Sequence, residues 1–162
     1  MSPSLLLLFL FAFLIHNVEE GIWLMRASAQ QSKINTHQHT SQDQFLFAVI
    51  FVTAVALLIT ALYIFYPNQW LLKYAFFGYL GAMILNIFLV HLSSTIIERR
   101  YSPGLMTGFL ALLPVNGMII IRGFHLGIVS FVGMLAATIV MSVVLLLFIP
   151  IMFKIAAKLI TY

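Results

Sequence analysis

Residues 5–25 read LLLLFLFAFLIHNVEEGIWLM, and whether this run is one helix decides the fold. Its length matches the roughly 20 apolar residues that cross the hydrocarbon core of a bilayer. Inside it stand His16, Asn17, Glu19 and Glu20. On a helix His16 lies three and four residues before the two glutamates, so the imidazole and at least one carboxylate share a face, one turn apart. A charge deep in such a segment costs about 2.5–3.5 kcal/mol on insertion scales, so adjacent glutamates there require a partner, a proton or a metal.

The rest of the chain has the same character. Of 162 residues, 63% are hydrophobic and only 7% charged, with a mean hydropathy of +1.11. A soluble protein of that composition would expose large apolar patches, so the sequence predicts an all-α, polytopic membrane helix bundle in a single domain. With no cysteine in the chain, disulfides, thiolate catalysis and cysteine-held metals are excluded, and any metal would rest on His, Glu or Asp. The eight Lys and Arg residues are scattered at the ends of apolar runs. That distribution orients a membrane protein and argues against nucleic acid as a partner.

Five spans are expected, at about 4–25, 45–66, 71–97, 105–121 and 126–149, with a polar loop at 26–44. Residues 1–29 mimic a secretory signal, yet no basic residue precedes the run, and Glu19, Glu20 and Arg26 interrupt it before Ala27-Ser28-Ala29. The segment is therefore read as a retained span. The loop histidines His37 and His39 are read as solvated. Pro67-Asn68 predicts a tight hairpin between the second and third spans, and Ser102-Pro103-Gly104 a sharp turn into the fourth. Pro114 is expected to kink the fourth span and Pro150 to interrupt the fifth.

Loops on the side of the first connection hold Arg26, Lys33, Arg99, Arg100, Lys154 and Lys158, against Lys73 and Arg122 opposite. This bias predicts the N-terminus outside and the C-terminus in the cytoplasm. At ~1.5 Å per residue, His16 lies about 13 Å from the cytoplasmic end of its helix and His91 about 10 Å from Glu98 at the end of the third. Both motifs thus fall in one layer, the cytoplasmic half of the membrane. They predict a composite site of His16, Glu19, Glu20 and His91, with Glu98 and Tyr101 at its mouth.

His16-Asn17-Val18-Glu19-Glu20, the later His91 and Tyr101-Ser102-Pro103-Gly104 together resemble the HXXEE family of integral membrane proteins, which is described by that motif, a further histidine and a Tyr-x-Pro-Gly motif. The resemblance covers roughly residues 10 to 105. It takes His91 as the second histidine, with His125 as the alternative. It implies a mainly bacterial membrane protein without an established activity, located in the cytoplasmic membrane.

The residues themselves support three readings. In the first, His16, His91, Glu19 and Glu20 hold a divalent metal, zinc or iron, for an intramembrane enzyme acting on a lipid or another apolar substrate that enters laterally. Glu19 is then the ligand and Glu20 the base, or the reverse. Glu98 supplies a further ligand or base, and Tyr101 a hydrogen bond. Hydrolysis and oxidation both remain open. In the second reading the carboxylates exchange protons in a transporter which, lacking an internal repeat, would need to form a homo-oligomer. In the third they pair with Arg26, Arg99 or Arg100 in a scaffold protein.

Overall fold

Five helices form from the five apolar runs: α1 Pro3–Ser28, α2 Gln42–Phe65, α3 Trp70–Glu98, α4 Leu105–His125 and α5 Phe131–Leu159. A computed structural model describes residues 1–28 and 40–160, with the side chains of residues 24–28 excepted. Lys33, His37, His39 and the Arg26 side chain lie outside the described residues. All five helices are long and apolar enough to cross a membrane, and no strand occurs among the described residues. The fold is an all-α bundle.

Local chemistry explains where the helices begin and end. Ser41 opens α2 with a capping box, its hydroxyl accepting from the Gln44 amide while the Gln44 side chain accepts from the Ser41 amide. α2 therefore starts at Gln42, before the expected 45. Ser130 caps α5 in the same manner by accepting from Gly133 N–H at 3.1 Å, and Gly127 at φ 64 turns the chain just ahead of it. The fifth helix consequently begins at Phe131 and not at 126. It also runs through Pro150 to Leu159, where an interruption was expected. Proline removes one ladder bond, but an apolar surrounding gives the remaining backbone groups no better partner than the helix. α4 likewise extends past 121 to His125, placing Arg122 and His125 against the negative end of its dipole.

Two helices carry a π-turn. In α4 it spans Gly108–Leu112, directly before Pro114, where the ladder opens around a residue that lacks an N–H. In α3 it spans Ile87–Leu92 and includes His91. α1 buries the face carrying Phe9, Phe13, His16 and Glu19. Phe9 and Phe13 pack on Phe76 and Tyr79, with centroids 5.6–5.8 Å apart, and Tyr63 stacks on Phe76 at 5.2 Å. This aromatic cluster fills one half of the bundle and leaves the polar residues of α1 in the other. Asn17 donates to Thr53 Oγ1 at 2.7 Å, which in turn donates to the Val49 carbonyl, so α1 is tied to α2 beside the polar layer.

Candidate metal centre

The polar layer is built around His16, Glu20 and His91, whose ligand atoms all lie within 4.8 Å of one another. Glu20 Oε1 is 2.9 Å from His91 Nε2 and 3.6 Å from His16 Nε2. The two imidazoles meet edge to face with centroids 5.1 Å apart, and each is only 1% exposed. The i, i+4 spacing on α1 carries Glu20 one turn from His16, and α3 supplies His91 from across the bundle.

The π-turn explains how Asn86 joins them. Five residues along an α-helix separate two side chains by roughly 140°, but an i→i+5 turn brings them into line. Asn86 Nδ2 accordingly lies 3.0 Å from His91 Nε2. The other ring nitrogen, Nδ1, faces Ser102 Oγ at 3.4 Å. Thr95 fixes the turn that carries Ser102, donating to the His91 carbonyl at 2.8 Å and accepting from Ser102 N–H at 3.1 Å.

Glu19 points elsewhere. The first helical amides of α4 have no intrahelical acceptor, and Gly104 at their N-cap has no side chain to offer. Glu19 fills that place from α1: its Oε2 accepts from Thr107 N–H at 3.0 Å and from Thr107 Oγ1, while Oε1 accepts from the Tyr101 hydroxyl. Tyr101 in turn accepts from Met106 N–H at 3.1 Å. Burial, and then the Glu19 carboxylate, push the Tyr101 hydroxyl up to about 12, so it remains a donor at neutral pH. A carboxylate at a helix N-terminus also meets the positive end of the dipole.

This arrangement sets the state of His16. Thr107 has one hydroxyl proton and gives it to Glu19, so its oxygen can only accept from His16 Nδ1 at 3.2 Å. Nδ1 therefore bears the ring proton and Nε2 presents a lone pair. That lone pair is buried, has no hydrogen-bond partner among the described residues, and faces Glu20, itself an acceptor. Two acceptors facing each other in a buried site call for a cation or a proton between them.

Of the sequence-predicted ligands, the structure thus brings His16, Glu20 and His91 together. It commits Glu19 to Thr107 and Tyr101. Glu98 lines the same cavity, as do Arg100, Tyr101 and Ser102. His125 lies at the far end of α4, beside Arg122, on a separate surface groove. Sequence reasoning did not find Thr107, Asn86 as a neighbour of His91, or the contact of Gly104 with His91. A Cβ built on Gly104 would lie 2.5 Å from His91 Cε1. The only sequence signal for these was the short distance between the Tyr-x-Pro-Gly turn and Thr107.

The Thr107 relay carries a direct expectation. Thr107→Val removes the hydroxyl that fixes the His16 tautomer and should weaken divalent-ion binding by about 10–100-fold, the usual effect of losing a group that orients a metal-bound histidine. Thr107→Ser should restore it. Isothermal titration of the detergent-solubilised variants with zinc reads both.

No solved structure matches this chain. It is 36% identical over 150 residues, 93% of its own length and 94% of the relative's, to "Uncharacterized protein YrkK" of Bacillus subtilis (strain 168). Residues 7–119, which contain the helices and the turn that form the His/Glu cluster, match the family described as "Protein of unknown function with HXXEE motif", and the chain belongs to that family.

Proposed function

We propose that this is a multi-pass membrane metalloprotein of the bacterial cytoplasmic membrane, with a divalent ion, zinc or iron, held by His16, Glu20 and His91. It acts as a hydrolase or oxidase on a lipid or other apolar substrate. One observation carries the reading: an imidazole nitrogen whose lone pair has no hydrogen-bond partner, a carboxylate oxygen and a second imidazole nitrogen converge in a buried layer. Ligands of a four-coordinate ion at ~2.0–2.1 Å stand ~3.3 Å apart, and the 2.9 and 3.6 Å separations of Glu20 Oε1 from the two imidazoles bracket that spacing. Three protein ligands leave a position open, the pattern of catalytic rather than structural sites. When bound, the ion would polarise a substrate oxygen or lower the pKa of a bound water.

The chain's own residues do the rest. Glu19 and Thr107 hold His16 in its metal-binding tautomer. Ser102, at His91 Nδ1, orients the ring, and Asn86 gives up Nε2 when the ion binds. The basic residues at the C-terminal ends of α3 and α5 support a site in the cytoplasmic half. Tyr101, with its hydroxyl engaged by Glu19 and Met106, is a positioning residue, and Glu98, which lines the same cavity, is a further ligand or base.

Metal analysis of protein purified in mild detergent tests the reading. The expected result is one divalent ion per chain, lost in His16→Ala and in His91→Ala. The 2.9 Å contact between His91 Nε2 and Glu20 Oε1 is also the distance of a shared proton, which favours proton handling as the second reading. A chain with no ion, whose pH-dependent transport is abolished by Glu20→Gln, would establish that alternative.

A further inference from the structure

The candidate metal centre lies at one end of a cavity of about 710 Å³, and the rest of that cavity has a different character. Its walls are apolar side chains of α1, α2, α3 and α5, among them Phe13, Val52, Leu89 and Leu146. The reason the cavity exists is visible in the α3–α5 contact. Along the first half of α3 the helices touch through small residues: a Cβ on Gly78 would come within 2.5 Å of the Ala137 carbonyl oxygen, and one on Gly81 within 2.0 Å of Thr138 Oγ1. Below that seam no glycine remains on α3, the π-turn at Ile87–Leu92 widens the helix, and the space lies between Asn86 to Val90 on one side and Ser142 to Ile149 on the other.

Two cavity-lining residues at this gap, Leu89 and Leu146, are 68% and 67% exposed on the outside of the bundle. Leu89 stands nine residues before the end of α3, and Leu146 is interior to α5. The gap therefore faces hydrocarbon and not water. The opposite, polar end of the cavity meets the turn with Tyr101 and Ser102 at the membrane edge. On the cavity wall, one turn from Leu146 toward the glycine seam, Ser142 Oγ is buried without a hydrogen-bond partner among the described residues.

We infer that this cavity is a lipid chamber: a single-chain amphiphile enters between α3 and α5 from the acyl-chain layer, lies along the apolar walls, and presents an oxygen-bearing head to His16, Glu20 and His91. The volume is within the ~300–1,000 Å³ of sites that hold one small ligand, and is too small for two acyl chains with a headgroup. Apolar walls ending in one cluster of cation-binding groups match an amphiphile, not a uniformly apolar or a water-soluble molecule. The unpartnered Ser142 hydroxyl offers a hydrogen bond to a polar group partway along the chain. The substrate class rests on the metal reading, whereas the chamber and its entrance do not.

Binding of two C16 probes to the full chain in lipid–detergent micelles separates these elements: palmitohydroxamic acid, whose head chelates, and hexadecanol, whose head does not. Acetohydroxamic acid reports the head alone. Leu89→Trp and Leu146→Trp narrow the entrance at exposed positions that do not threaten folding, and Ile139→Trp on the lipid face of α5 is the control. The inference predicts 1:1 binding of palmitohydroxamic acid to the zinc-loaded chain, weakened at least about tenfold by either entrance variant and unchanged by the control, with acetohydroxamic acid insensitive to all three. If zinc does not load and hexadecanol still binds with the same sensitivity to the entrance variants, the metal reading falls and the chamber stands. If zinc loads but neither C16 probe responds to the entrance variants, the chamber is wrong and the metal reading survives.

Discussion

Gly104→Ala should cost the protein the proposed ion and much of its stability together. Gly104 has φ 95, a conformation that charges an L-residue about 1–2 kcal/mol. The added methyl would also stand 2.5 Å from His91 Cε1 and 2.9 Å from both ring nitrogens. The ring has little room to retreat, because His91 is 1% exposed and packs edge to face against His16. Either the Ser102-Pro103-Gly104 turn shifts and pulls Glu19 from the start of α4, or His91 leaves the cluster. We expect a loss of roughly 1–3 kcal/mol of stability from strain at the turn alone. Divalent-ion affinity should fall by at least the ~10–100-fold typical of a disturbed ligand environment. Gly127→Ala is the matched comparison: φ is 64, but nothing lies within 4 Å of the new methyl. It should show the strain without the loss of ion, so thermal unfolding and zinc titration on the two variants separate backbone from site.

The second large effect concerns the seam that closes one end of the cavity. In Gly78→Ala the methyl meets the carbonyl oxygen and carbon of Ala137, at 2.5 and 2.8 Å, and a helix backbone cannot rotate aside as a side chain can. α3 and α5 must separate, and overpacking of this kind costs about 1–3 kcal/mol or more. Gly117→Ala, with nothing within 4 Å, should be neutral or gain up to about 1 kcal/mol of helix propensity. Thermal unfolding in a single detergent should therefore rank Gly117→Ala at or above the parent and Gly78→Ala well below it. Equal unfolding temperatures for Gly78→Ala and the parent would contradict the close approach of the two helices.

The five spans were legible because they depend on length and apolarity, which the sequence displays directly, and their polar exceptions were legible because a charge in a span demands an explanation. His16 and Glu20 could be paired from i, i+4 geometry alone. Helix ends were less accessible: the α5 start depends on Ser130 and Gly127, and its passage through Pro150 depends on the absence of any competing partner for the backbone. The division of labour between Glu19 and Glu20 was not legible. Adjacent residues on a helix point about 100° apart, so only the position of α4 decides which carboxylate turns inward to the imidazoles and which caps the next helix. The π-turn that aligns Asn86 with His91 leaves no mark in the composition of Ile87–Leu92.

X-ray absorption at the metal edge, on protein loaded with zinc and washed free of excess, measures the proposed coordination itself. The account predicts a shell of imidazole nitrogen and carboxylate oxygen at ~2.0–2.2 Å, with the imidazole contribution reduced in His16→Ala and in His91→Ala and the ion released in Glu20→Gln. A tightly held ion whose spectrum is the same in all three variants, or one coordinated without imidazole, would contradict it.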